Sequence, residues 1–112
     1  MASSKEYVDY IIDQASDAGT VACKKMFGEY GLYCEGVFIA MVCDDRLFCK
    51  VTDEGRETIR NAGKEEVFAP PYKGAKPILL IEDVEDREFL SALFLATERG
   101  IGGGNRQSKK IE

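Results

Sequence analysis

Between residues 21 and 51 the sequence gives up helical spacing for alternation, interrupted only by short polar breaks. That change of period constrains the fold more than any other feature. It predicts strands over residues 20–26, 32–34, 37–43 and 46–51. Glu35-Gly36 and Asp44-Asp45 stand between them as two-residue connections of the kind that closes a β-hairpin. Gly28-Glu29-Tyr30-Gly31 reads as a glycine-rich turn joining the first two strands. Four strands joined this way form an antiparallel meander.

Helices flank this sheet. Ser3-Ser4-Lys5-Glu6 has the spacing of a capping box built on Ser3 and Glu6. Val8, Ile11, Ile12 and Ala15 follow at helical spacing, and Gly19 stops the helix. After the meander, Thr52 can cap a second helix over residues 53–62, ended by Gly63. Residues 67–72 must be extended, because Pro70 and Pro71 forbid a helix and exclude a central strand. Residues 77–81 read as a buried strand. Asp83 can cap a last helix whose apolar stripe is Phe89, Leu90, Leu93, Phe94 and Thr97, with Gly100 at its end. The order α-β-β-β-β-α-β-α predicts an α+β domain over residues 1–100, a single antiparallel sheet with helices packed on one face. Residues 101–112 read as a flexible, glycine-rich basic tail.

The turns also predict which residues share a face. Across Asp44-Asp45, Cys43 should face Arg46, Val42 Leu47, and Ala40 Cys49. One face then carries Phe38, Ala40, Val42, Leu47, Cys49 and Val51 and should receive the helices. The other carries Val37, Ile39, Met41, Cys43, Arg46, Phe48 and Lys50, and the Glu35-Gly36 turn adds Leu32 and Cys34. In a two-layer protein that second face should be polar, yet it is mostly apolar. Such a face needs a protein partner, a second copy forming a homodimer, or a covering segment of the same chain. Leu32, Cys34, Val37, Ile39, Met41 and Phe48 are therefore the candidate partner face, and residues 68–72 are the candidate internal cover.

Composition limits the chemistry. The 112 residues contain no histidine, which removes imidazole bases and every triad or metal site built on them. Cys23, Cys34, Cys43 and Cys49 show no C-x-x-C pair, and reduced, buried cysteines behave as small hydrophobes. No metal or other cofactor is expected. A formal charge of −5 works against direct nucleic-acid binding. The longest apolar run, residues 37–43, is far too short to span a bilayer. No signal peptide is visible, so the cytoplasm is the expected location. A second candidate site is a small-molecule loop built from Gly28, Tyr30 and Gly31 with Tyr72; the plainer reading is a tight turn needing positive φ.

The segment Met26-Phe27-Gly28-Glu29-Tyr30-Gly31-Leu32-Tyr33, then Gly36 before an apolar strand, then Asp45-Arg46-Leu47-Phe48 and Lys50, resembles the N-terminal domain of TfoX/Sxy proteins. "PPYKGAKP" and "DREFLSALFLAT" extend the resemblance over residues 4–98. It implies an α+β fold with one antiparallel sheet, related to secretion-chaperone-like proteins. Two-domain members regulate competence for DNA uptake in bacteria, with the cyclic-AMP receptor protein at promoters. The chain is similar to short stand-alone members. No catalytic residue belongs to the family pattern. The resemblance implies a non-enzymatic regulatory or adaptor domain acting by protein contact, with the transcription machinery among its expected partners.

Overall fold

The computed structural model describes residues 3–26 and 28–103. Helix α1 (Lys5–Gln14) is followed by a single 3₁₀ turn and then by β1 (Val21–Met26), β2 (Glu29–Cys34), β3 (Val37–Cys43) and β4 (Arg46–Cys49). Helix α2 (Asp53–Asn61), the two-residue strand β5 (Phe68–Ala69), β6 (Ile78–Ile81) and α3 (Arg87–Glu98) complete the order. All six strands pair antiparallel in one sheet, ordered β1-β2-β3-β4-β6-β5. The proline-flanked β5 lies at the edge, the place open to a chain whose next residues lack an N–H donor.

Capping follows local chemistry with three shifts from the sequence expectation. Ser4, not Ser3, caps α1, its Oγ accepting from Tyr7 N at 3.1 Å. Ser3 instead joins a clasp. Its N–H donates to Glu29 Oε1 (3.0 Å) and its Oγ accepts from Asp45 N (2.8 Å). Thr52 caps α2 as expected, with Gly63 beyond its end at φ +75°. Asp86 rather than Asp83 caps α3, accepting from Phe89 N at 3.1 Å, while Asp83 pairs with Lys64. The last helix also runs on past Gly100 as a π-helical turn over Arg99–Gly103, and Ile101 packs against the core. The rest of the expected tail, residues 104–112, lies outside the described residues, as does Phe27.

Both two-residue hairpins form. Glu35 and Gly36 have φ of 52° and 80°, and Asp44 and Asp45 both have 56°, the left-handed pair whose twist matches that of the strands. Side chains offset the cost of non-glycine residues there. Glu35 Oε2 accepts from Thr20 N at 2.7 Å, and Asp45 Oδ1 accepts from Ser4 N at 2.9 Å. The β1–β2 connection turns at Gly28 (φ 81°), so Glu29, Tyr30 and Gly31 are strand rather than turn.

The β3–β4 register is the one the sequence predicts, with Ala40 opposite Cys49, Val42 opposite Leu47 and Cys43 opposite Arg46. The β2–β3 register is not. Cys34 faces Val37 and Tyr33 faces Phe38, but Leu32 then faces Ala40, so β3 spends one extra residue at Ile39. This β-bulge resolves a conflict of parity. Without it, Gly31 would share the helix-facing side with Ala40 and Val42, leaving Leu32 and Cys34 outside. With it, Tyr30, Leu32 and Cys34 join Ala40, Val42, Leu47 and Cys49 in one core cluster. The helices close this side with Val8 and Ile11 of α1, Ile59 of α2, and Leu90, Leu93 and Phe94 of α3. Each such buried side chain contributes on the order of 1.5–3 kcal/mol of hydrophobic stabilisation. Thr97 of α3 is fully buried, donating to Leu93 O (2.8 Å) and sharing a 3.3 Å hydrogen bond with Cys49 Sγ.

Candidate functional site

The bulge corrects the expected partner face. Leu32, Cys34 and Ile39 are completely buried on the helix side, and Val37 packs half-buried against that same core. Phe38, expected inside, points outward opposite Tyr33, and Val51 lies beyond β4 at 43% exposure. Of the six residues expected to form the partner face, Met41 and Phe48 stay on the outer side, paired across β3 and β4. Only Met41 is accessible there, since Phe48 is completely buried.

The outer face divides into two halves. In the open half, the rings of Tyr33 and Phe38 pack at 5.2 Å, tilted by 31°. Both are half-exposed, and Lys50 Nζ sits 4.3 Å from the centre of the Phe38 ring. Lys24 lies alongside on β1, opposite Gly31. The surroundings of Gly31 are crowded by side-chain ends: a Cβ would meet Met26 Cε at 2.6 Å and Phe38 Cε1 at 2.9 Å. In the other half, residues 70–73 lie over the sheet and border a half-open cavity of about 670 Å³. Met26, Tyr30, Met41 and Cys43 line it from the sheet, Pro70, Pro71 and Tyr72 from the covering segment, and Arg46 and Lys73 bring positive charge. The Arg46 guanidinium lies 5.3 Å from the Phe48 ring. Internal cover and open face thus coexist, each over part of the sheet.

Of the expected ligand loop, Tyr30 and Tyr72 both border this cavity, but Tyr30 does so from within its strand, its side chain belonging to the helix-side core. Gly28 stays exposed at its turn and Gly31 is buried in its strand, so neither glycine lines the cavity. Sequence reasoning missed Arg46 as a site residue. The available signal was the alternation Arg46-Phe48-Lys50, which puts two cations beside an aromatic ring on one face.

Glu29 forms part of the cavity wall, but both its oxygens are engaged, Oε1 by Ser3 N and Oε2 by Asp44 N, each at 3.0 Å. Partial burial alone would push its carboxyl up; these hydrogen bonds outweigh that and hold it below the ordinary value. The cysteines shift the other way. Burial pushes the Cys34 and Cys49 thiols up to about 11 and also raises Cys43, so none of the three offers a ready thiolate at neutral pH. A second cavity, about 330 Å³, opens beside Ile59, Val67 and Phe89. Lys64, on its wall, is held there by Asp83 and Asp86. Among the described residues, no helix is long and apolar enough to cross a membrane.

Comparison with known proteins gives one family: the TfoX N-terminal domain matches residues 13–97. A relative from Spirochaeta aurantia, described as an uncharacterized 12.7 kDa protein in the trpE 5′ region, is 37% identical over 84 residues. That alignment covers 75% of this chain and 70% of the relative.

Proposed function

The chain belongs to the TfoX N-terminal domain family, and from that premise we propose that it is a non-enzymatic regulatory adaptor, working by protein contact through the open half of its outer sheet face. The observation that carries this reading is the half-exposed pair of Tyr33 and Phe38 on the side away from the helices. Paired aromatics on a rigid sheet, with Lys24 and Lys50 at the edge, have the composition of an interface centre and its charged rim. The family is not a known family of enzymes, which agrees with a chain that lacks histidine and keeps its buried thiols protonated. The family's two-domain members make the transcription machinery of a bacterial cytoplasm the first place to look for a partner.

The test compares wild type with the Tyr33→Glu/Phe38→Glu double variant, whose two positions face outward. Sedimentation of the purified proteins reports self-association, and capture from the native lysate reports other partners. The reading predicts a dimer, or a recovered RNA polymerase or transcription factor, that the folded double variant loses. A monomeric wild type whose captured proteins are the same as the variant's would overturn it.

A further inference from the structure

We infer that the cavity between the outer sheet face and residues 70–73 is a binding site for a small organic anion with an aromatic or branched apolar body, its charge held by Arg46 and Lys73. This goes beyond the protein-contact reading and does not depend on it, since the two uses occupy different halves of the face.

Size comes first. About 670 Å³ falls within the roughly 300–1,000 Å³ typical of small-ligand pockets. The lining then sets the body of the ligand. Met26 and Met41 form an adaptable apolar floor, while Pro70 and Pro71 form a cover whose backbone is already restricted. Such a cover loses little freedom when it closes on a ligand, which favours binding. Tyr72, 61% exposed, offers a ring at the mouth.

Charge selects the sign. The ion pairs formed among the described residues use Lys5, Arg56, Arg60, Lys64 and Arg87, but neither Arg46 nor Lys73. Two cations outside those ion pairs thus meet at one cavity in a chain of net charge −5. Of the two acids in the wall, Glu29 keeps its charge, but both its oxygens are already taken by the N–H groups of Ser3 and Asp44. That leaves the Asp44 carboxylate as the acid open to a ligand, beside a guanidinium and an ammonium. A guanidinium fork is suited to a carboxylate, and the ammonium adds a second donor without fixed geometry.

The chain has three methionines, Met1, Met26 and Met41, so methyl-labelled methionine gives three NMR signals, two of them from the cavity. The intact protein is titrated with 1-naphthoate and, separately, with 1-naphthamide, which has the same rings without the charge. The inference predicts saturable shifts of the Met26 and Met41 signals with naphthoate and at least tenfold weaker binding of the amide. Arg46→Gln with Lys73→Gln, both at exposed positions, brings naphthoate down to the level of the amide. Unmoved Met26 and Met41 signals, equal binding of the two probes, or a charge preference that survives the double replacement would each overturn it.

Discussion

On the inner side of the sheet, Leu32, Ile39, Ala40, Val42, Leu47 and Cys49 are cut off from solvent beneath the helices. On the outer side, Tyr33, Phe38 and Met41 stay half-exposed, and a short proline-rich segment covers only the part near Arg46. Both faces are apolar, so apolar content alone does not separate core from contact surface. What separates them is cover: three helices seal one side, and four residues of loop cannot seal the other. The outer face leaves apolar area accessible, while the inner face supplies the buried core.

The largest expected effect tests the inner face. Leu32→Ala should cost about 2–5 kcal/mol in urea unfolding, as a buried leucine truncation does. Tyr33→Ala, one residue away on the outer side, should cost about 0.5–1.5 kcal/mol, mainly the lost ring pair. Comparable losses from the two would break the distinction. Next is Gly31→Ala, whose added methyl must displace the ends of Met26 and Phe38. A loss of about 1–3 kcal/mol is expected, because overpacking at one point forces neighbouring side chains off their rotamers. The displaced Met26 end also links the two halves of the outer face, so the variant should weaken naphthoate binding in the cavity.

Acid acts on the clasp between the chain start and the sheet. Glu29 titrates below its ordinary value of 4.5 in the folded protein, so its contribution is fully present above that value. It is lost as pH falls through the folded pKa. The urea midpoint should therefore drop below about pH 4.5, and Glu29→Gln should flatten part of that drop. Glu66, lowered by Arg60 and then Arg56, adds to the wild-type slope in the same direction. The smallest effect is expected at the β3–β4 turn. Asp44→Gly relieves one left-handed residue and should raise stability by less than about 1 kcal/mol, visible as a small rise in Tm.

Much of the fold was legible because local signals agreed. Two-residue polar breaks marked the hairpins, Pro70 and Pro71 sent residues 68–69 to the sheet edge, and the stripe from Phe89 to Thr97 marked α3. The β3–β4 register followed from the Asp44-Asp45 turn alone. The bulge was hidden because β3, Val-Phe-Ile-Ala-Met-Val-Cys, is apolar at every position, and so contains no polar residue to reveal its parity. One unseen extra residue at Ile39 then carried Leu32, Cys34 and Val37 to the wrong side, although the Glu35-Gly36 turn was placed correctly. Tyr30 and Tyr72 were legible as candidates, but that both border one cavity depends on how residues 70–73 fold back, a long-range contact that spacing cannot encode.

Phe38 and Ile39 are consecutive residues on opposite sides of the sheet, and the bulge puts Ile39 on the inner side with Ala40, so a paired charge substitution tests the two-face account most directly. Urea unfolding of Phe38→Lys should show a cooperative transition weakened by about 1–2 kcal/mol, the loss of its contacts with Tyr33 and Lys50. Ile39→Lys places a charge in a site with no exposure and should lose more than about 4 kcal/mol, or fail to fold. A stable Ile39→Lys beside an unfolded Phe38→Lys, or equal losses from both, would contradict the account.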